Sequence, residues 1–257
     1  MSGRRGEQRG TLLHAKHALT PNRLGYCGPD ENGTILEHLY ESSVSESLVK
    51  TLKQFEAAYP FLRLIAKSAS RTPFDYDVAE AYWIGNHLLD SVQPTSFYEF
   101  SHGLTSRLPS QEAKTLFKEL GGLARPHHTF YVLGMYCRAK AASTGRDKLL
   151  ELMDSCRISW GEVVDVKRQS LVVERAPLVV DRHDRLTLGA PRRREVKYDS
   201  GIPPFERIRR GDFVSLHWDF SSERLTPRQL RNLAGYTKKD IAATNRFFEA
   251  LKQPNRF

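Results

Sequence analysis

Cysteine is scarce in this chain, and long apolar runs are missing. The three cysteines are Cys27, Cys137 and Cys156, an odd number with no CxxC pair, which argues against a disulfide framework and against a zinc ribbon. No apolar run approaches the roughly 18 residues that a membrane-spanning helix needs. The N-terminal sequence MSGRRGEQRG has no apolar segment behind it and so does not look like a secretory signal. We therefore expect a cytoplasmic protein with reduced thiols.

The sequence motifs of several large enzyme classes are missing as well. The chain contains no phosphate-binding loop, no dinucleotide-binding fingerprint, no HExxH and no Ser/His/Asp motif. An enzyme is thus the less favoured interpretation, and the sequence assigns no catalytic residue. If the chain is an enzyme, its active site is expected between two domains, with His87, His127 or Cys27.

Positive charge is abundant, because 39 Lys and Arg residues stand against 30 Asp and Glu residues and give a net charge of +9. Arginines cluster at residues 192–194 and in residues 1–10, a Gly-rich stretch for which we predict a disordered basic leader. Such a charge suits nucleic acid or an acidic protein partner. Because no nucleic-acid recognition motif accompanies it, nucleic acid is an unlikely partner.

Residues 11–153 have the pattern of an all-α domain with about seven or eight helices. Apolar residues between positions 48 and 65 recur at spacings of three and four, which predicts a stripe that faces a core. Pro60 falls inside this stripe and is expected to kink or divide the helix. His14 and His17 lie three residues apart on the first predicted helix, where a solvated face is favoured over a metal site.

Residues 154–221 have a different pattern, with alternating apolar residues, many β-branched side chains and turn signals at nearly regular spacing. This pattern predicts a small β-barrel whose last strand ends at His217. Residues 222–257 predict C-terminal helices, the first of them capped by Thr226 with Gln229 at the capping-box position. The predicted fold class is therefore α+β, an all-α N-terminal domain followed by a small barrel and C-terminal helices.

Two residues at the edges of the predicted barrel carry chemistry. Cys156 precedes the first strand, where a thiol can be a buried core group, a nucleophile or a soft metal ligand. His217 ends the last predicted strand, and the alternation points it away from Val214 and Leu216. Considered singly, a structural role is favoured for both residues.

The order of short motifs around these two residues is informative. Cys156 stands five residues before Gly161; residues 211–214 read Gly-Asp-Phe-Val, and residues 217–220 read His-Trp-Asp-Phe, with a predicted helix at residues 225–233. This frame resembles the hydrogenase-maturation chaperone family HypC/HupF, whose members have a ligand cysteine, a Gly-Asp-x-Val strand, a His-x-Gly-Phe segment and a short helix in the same order. The resemblance covers about 80 residues and implies an OB-like barrel.

The resemblance also implies a function in the maturation of [NiFe] hydrogenase. It implies that Cys156 and His217 bind an iron fragment that carries cyanide and carbon monoxide, for which a soft thiolate and an imidazole are suitable ligands. It implies a hydrogenase large-subunit precursor or a maturation scaffold protein as the partner, with Trp160, Gly161 and Phe220 as partner-binding residues. A metal-free protein-interaction module with the same barrel is the alternative.

Cys27, His127 and His128 are candidates for a second site. Cys27 lies in a turn rich in glycine, where a thiol is exposed more often than in a helix, and it is a candidate to face Cys156 across a domain interface. His127 and His128 stand at the start of a predicted helix, where an anion or a metal ion can bind, although a simple N-terminal role is favoured.

Overall fold

The structure is a computed structural model that describes residues 2–104, 123–136, 145–203 and 207–251, so Cys137 and a helix predicted at residues 110–120 lie outside the described residues. The helices are α1 (Ser2–Arg23), α2 (Asn32–Glu41), α3 (Glu46–Lys53), α4 (Tyr59–Ser68), α5 (Tyr76–Trp83), a 3-10 helix (His87–Ser91), α6 (Pro94–Leu104), α7 (His128–Phe130) with a π-helical continuation (Tyr131–Tyr136), α8 (Arg146–Cys156) and α9 (Pro227–Leu251). The strands are β1 (Ser159–Val166), β2 (Ser170–Arg175), β3 (Leu178–Val180), β4 (Leu186–Leu188), β5 (Arg192–Lys197), β6 (Phe213–His217) and β7 (Phe220–Leu225).

The α+β class with a small barrel is confirmed. Five strands close a barrel in the order β1-β2-β5-β7-β6, and the remaining two strands form a separate hairpin, β3-β4. All neighbours in the barrel are antiparallel except β5 and β7, which are parallel and meet at the single pair Lys197 and Phe220. A small five-stranded barrel is typical of the OB type.

The barrel has one strand more than the sequence predicted after residue 210. The last strand was expected to end at His217, but the chain turns at Trp218 and Asp219 and returns as β7, which runs past the expected boundary at residue 221. The register of β6 and β7 shifts between Ser215 and Leu216, so the strict alternation that identifies a strand is lost. Both turn residues have a φ of 54°, which suits a two-residue hairpin turn but is unfavourable for side chains other than glycine.

Helix α1 replaces the disordered leader that was expected over residues 1–10, because it begins at Ser2. Residues of the leader make tertiary contacts: the guanidinium of Arg9 lies 4.4 Å from the ring centroid of Tyr76. At Gly10 a Cβ atom would overlap the backbone at Phe74, so the missing side chain allows α1 to pass close to the start of α5. The arginines and glutamine of the leader are also good helix formers.

One apolar core runs through the helices and the barrel. Buried residues of α1, α3, α4 and α5 belong to the same cluster as Val163, Leu171 and Val214 of the barrel. The ammonium of Lys16 on α1 also reaches Glu223 on β7 at 3.0 Å. The helical residues 11–153 and the barrel therefore pack against each other directly, and this packing brings side chains from both parts to one place.

Local signals for helix ends were accurate. Ser45 accepts a hydrogen bond from the amide of Leu48 at the start of α3. Pro60 lies in the first turn of α4, so the helix predicted between positions 48 and 65 is divided into α3 and α4. The amide of Thr226 donates to Gln229 Oε1 at 2.9 Å, as the capping box predicts. Beyond it a single long helix, α9, stands where two helices were expected.

In the described residues, none of the helices has the length and apolar character that crossing a membrane requires.

Glu80 on α5 is fully buried. Its two oxygens accept from the guanidinium of Arg228 on α9 at 2.8 and 3.0 Å. They also accept from the side-chain amides of Asn86 and Gln229, each at 3.1 Å. These four hydrogen bonds compensate for the lost hydration of the carboxylate and attach α9 to the helical part.

Replacing Arg228 by alanine is expected to lower the free energy of unfolding by about 2 kcal/mol, because the buried Glu80 carboxylate then loses its cation. Half of the Arg228 side chain is exposed, and solvent screening keeps the loss below that of a fully buried pair. Urea denaturation of Arg228→Ala measures the change. The exposed Arg231 lies one turn further along α9, so Arg231→Ala is the matched control and is expected to stay within about 0.5 kcal/mol of the unchanged protein. Equal stability of the two variants would contradict this account.

Candidate metal centre

Three potential metal ligands meet where the helices contact the barrel. His128 begins α7, Cys156 is the last residue of α8, and His217 is the last residue of β6. One ligand atom from each, a ring nitrogen or Sγ, lies within 4.8 Å of the others. Both imidazoles are buried and the thiol is half-buried. We refer to these three residues as the His–Cys–His triad; in the described residues, no other set of three His, Cys, Asp or Glu ligands is this close.

His217 presents an unprotonated nitrogen in the interior. Its Nδ1 atom donates to the carbonyl oxygen of His17 at 2.7 Å, which leaves the lone pair on Nε2. That Nε2 atom is buried and makes no well-formed hydrogen bond, and the backbone of Cys156 also interacts with this ring. Burial lowers the pKa of His217 to about 4, so the ring is neutral near pH 7. A histidine that donates one N–H to a backbone carbonyl and offers its other nitrogen has the arrangement of a metal ligand.

His128 lies in a hydrogen-bonded chain that lacks a proton. Its Nδ1 atom is 3.0 Å from the hydroxyl of Tyr82, which is also 2.8 Å from the carbonyl oxygen of Ala57. Its Nε2 atom is 3.0 Å from the carbonyl oxygen of Cys156. The carbonyl oxygens at the two ends of this chain can only accept hydrogen bonds. Its three hydrogen bonds therefore need three protons, whereas a neutral tyrosine and a neutral histidine together supply two.

A third proton on His128 is disfavoured, because burial holds the pKa of this histidine well below its ordinary value. A metal cation on Nε2 of His128 would take the place of the missing proton. Nδ1–H then donates to Tyr82, and the Tyr82 hydroxyl donates to Ala57. The proton count and the position of the three ligand atoms are compatible with a metal ion at the triad.

The donor set and spacing suit a transition metal. In a tetrahedral site with bonds of about 2.0–2.3 Å, ligand atoms lie roughly 3.5 Å apart, so side-chain movements of about 1 Å bring the triad to that geometry. One thiolate and two imidazoles suit zinc, iron or copper better than calcium or magnesium. Three protein ligands leave one position open, as in sites that exchange a ligand rather than purely structural ones.

A cluster of aromatic rings surrounds the triad. The indole of Trp83 lies between four histidines, with ring-centroid distances of 4.6 Å to His128, 5.7 Å to His217, 5.3 Å to His17 and 5.6 Å to His14. Trp83 donates its N–H to His14 Nδ1 at 2.9 Å. His14 and His17 are fully buried, so the expectation of a solvated helix face was wrong. Burial lowers the pKa of each to about 3.

The proposed second site is not assembled as the sequence suggested. His128 belongs to the triad, whereas the neighbouring His127 is buried against α9, with its Nδ1 atom 2.5 Å from a carboxylate oxygen of Asp240. Cys27 is half-buried in the loop after α1, where burial raises the pKa of its thiol, and it lies outside the triad. His87, named for an interdomain active site, is exposed at the start of the 3-10 helix.

The three residues assigned to partner binding have different environments. Trp160 is half-buried against the core, and Gly161 is buried, with the space for a Cβ atom filled by Val173 at 2.9 Å. Both residues pack against the barrel, and their assignment to partner binding stays a prediction. Phe220 is half-buried and lines a groove beside the β6–β7 turn.

Sequence comparison places the chain in a family without adding a function. A family model described as "Family of unknown function (DUF6390)" matches residues 6–250. No curated protein and no solved structure matches the chain. Any functional conclusion must therefore come from the residues and their geometry.

Proposed function

The chain belongs to the DUF6390 family, and we propose that it is an accessory protein of [NiFe] hydrogenase maturation that binds an iron–cyanide–carbon monoxide fragment as cargo. Cys156 and His217 are the ligands that the sequence implies, and His128 is added as a third. The approach of one ligand atom each from His128, Cys156 and His217 to within 4.8 Å of one another is the observation that carries the proposal.

The chemistry of the triad is consistent with transfer. A thiolate is a soft donor that suits low-spin iron, and two neutral imidazoles bind without adding charge. Cys156 is half-buried, whereas both histidines are buried. Binding also keeps the sulfur deprotonated. The protein acts in this proposal as a carrier rather than as an enzyme, and the hydrogenase large-subunit precursor or a maturation scaffold protein receives the fragment.

Infrared spectroscopy of protein purified anaerobically with its partners tests the cargo. Bands of metal-bound cyanide and carbon monoxide are expected with the unchanged protein and not with Cys156→Ala. Absence of these bands from the unchanged protein would refute the carrier function. A Cys156→Ala variant that matures hydrogenase as well as the unchanged protein would do the same.

A metal-free interaction module is the second candidate, favoured by the aromatic and basic groove beside the barrel. If the chain is a metal-free interaction module, Cys156→Ser is expected to leave partner capture and hydrogenase maturation unchanged. The carrier proposal predicts that capture continues while maturation stops, so the two readouts together separate the candidates.

Tyr82→Phe is expected to lower the metal affinity about 10- to 100-fold, which is the usual effect of removing a partner that orients a ligating histidine. Without the hydroxyl, the Nδ1–H of His128 has no acceptor at 3.0 Å and the ring is no longer fixed. Titration with Co²⁺ in competition with a chromophoric chelator measures the affinity. Tyr59→Phe is the control, because Tyr59 belongs to the same aromatic region and lies outside the triad. Unchanged Co²⁺ affinity in Tyr82→Phe would show that His128 is not a ligand.

A further inference from the structure

We propose that a groove between α1, α2 and the barrel is the docking site for an acidic segment of the protein that receives the metal. The groove has a volume of about 1100 Å³, and its walls include Arg23, Leu24 and Tyr40 on the helical side and Arg168, Lys197 and Trp218 on the barrel side. The name of the recipient rests on the proposed function, whereas the chemistry of the bound segment rests on the groove alone.

Exposed apolar side chains concentrate here. In the described residues, five large hydrophobic side chains are strongly exposed, and three of them, Leu24, Tyr26 and Tyr40, stand in or beside the groove with exposures of 52, 53 and 47%. The ring of Tyr26 stacks on Trp218, with centroids 4.2 Å apart. Clustered tyrosine, tryptophan and arginine are typical of the energetic centres of protein interfaces. A soluble partner with an apolar anchor would cover this surface.

The exposed cations in the groove favour an acidic partner. Arg23, Arg168 and Lys197 are exposed, and within the part of the chain that the structure describes they form no ion pair. The carboxylates that line the groove are already engaged: Glu195 pairs with Lys167 at 2.7 Å, Asp199 accepts from Tyr40 at 2.6 Å, and Asp219 pairs with Arg194. The cations available to a partner therefore outnumber the available anions, and an acidic segment is complementary.

The exposed apolar side chains distinguish a peptide from nucleic acid. A phosphate backbone has no apolar group to place against Leu24 and Tyr40. A peptide can place its own carboxylates on the three cations and an apolar side chain against Tyr40 and Leu24. The volume is also above the usual range of about 300–1000 Å³ for small-molecule pockets. An extended peptide segment is the occupant that fits.

The groove lies beside the triad. Trp218, which lines it, follows His217 directly, and its backbone N–H donates to the carbonyl oxygen of Ser155, the neighbour of Cys156, at 2.8 Å. Trp218 and Asp219 both adopt positive φ, a backbone arrangement that this hydrogen bond and the Tyr26 stack help to hold. The groove is thus joined to the triad through Trp218, which follows His217 in sequence and donates to the residue before Cys156.

Binding of the purified hydrogenase large-subunit precursor to the full chain tests this inference. The Arg168→Glu/Lys197→Glu variant is expected to raise the dissociation constant at least tenfold, and Tyr40→Ala about fivefold. The control is Arg231→Glu/Lys238→Glu, which changes the net charge equally on the exposed side of α9 and is expected to bind within twofold of the unchanged chain. Circular dichroism melting verifies that each variant is folded, and metal content is measured for each.

Each outcome is decisive. Equal binding of the groove variants and the control would overturn the inference, and so would failure of the unchanged chain to bind the precursor. Groove-dependent binding of a 20-nucleotide single-stranded DNA without binding of the precursor would overturn it in favour of nucleic acid. Loss of precursor binding with normal metal content supports it. Metal content and the infrared bands decide the carrier function separately, so a failure of the groove can be told apart from a failure of the carrier function.

Discussion

Lowering the pH from 7 to 5 is expected to reduce the free energy of unfolding by about 4 kcal/mol through His14 and His17 alone. Burial lowers the pKa of each from 6.5 in an unfolded chain to about 3 in the folded protein. Below pH 6.5 the unfolded chain therefore binds protons that the folded protein cannot bind. The contribution of these two histidines to the free energy of unfolding is complete above this pH and is lost as the pH falls towards 3. His128 and His217 act in the same direction when no metal is bound.

Two buried carboxyl groups oppose this effect. Burial raises the pKa of Glu223 and of Asp240, so these groups favour the folded state as the pH falls. The pH slope of single variants isolates the histidines from this background. His14→Gln is expected to reduce the slope of unfolding free energy between pH 6 and 5 by about 1.4 kcal/mol per pH unit, whatever its stability at pH 7. His183→Gln is the control, because His183 is exposed. If His14→Gln keeps the full slope, His14 is not a buried neutral histidine.

Removing any member of the triad is expected to lower the affinity for Co²⁺ or Zn²⁺ at least 100-fold. A site with three protein ligands loses both a bond and its preorganisation when one ligand is lost, and removal of a partner that only orients a ligand already costs 10- to 100-fold. The variants are Cys156→Ser, His217→Ala and His128→Ala, measured by competition with a chromophoric chelator at pH 7.5.

Cys27→Ser is the matched thiol control for this series. Cys27 is half-buried like Cys156 but lies outside the triad, so its loss is expected to change the affinity less than threefold. Melting temperatures at pH 7.5 show whether each variant is folded. If Cys27→Ser weakens binding as much as Cys156→Ser, the metal is held elsewhere. If His128→Ala alone has no effect, the site reduces to the cysteine and histidine that the sequence implies.

The sequence was informative where local chemistry determines structure. Ser45, Pro60 and Thr226 predicted helix starts correctly, since a side chain that caps free amides or fixes φ acts within one turn. The alternation in β1 and β2 also predicted strands. β7 was missed because the register shift near Ser215 removes the period of two on which strand recognition depends.

The third member of the triad could not be predicted from spacing. His128 precedes Cys156 by 28 residues, and the two meet only because α7 docks against the same core as α8 and the barrel. The burial of His14 and His17 left a signal in the sequence that was not used: they share a helix face with Ala18, a buried residue. Two histidines on an apolar face are evidence for an interior polar cluster, and that cluster proved to be the surroundings of the triad.

X-ray absorption spectroscopy of the Co²⁺- or Zn²⁺-loaded protein identifies the atoms that bind the metal. We expect one sulfur scatterer at about 2.3 Å and two imidazole nitrogens at about 2.0 Å, with the remaining position filled by a light atom from solvent. In Cys156→Ser the sulfur scatterer is expected to be absent. A metal shell without sulfur in the unchanged protein, or with sulfur that remains in Cys156→Ser, would contradict the account.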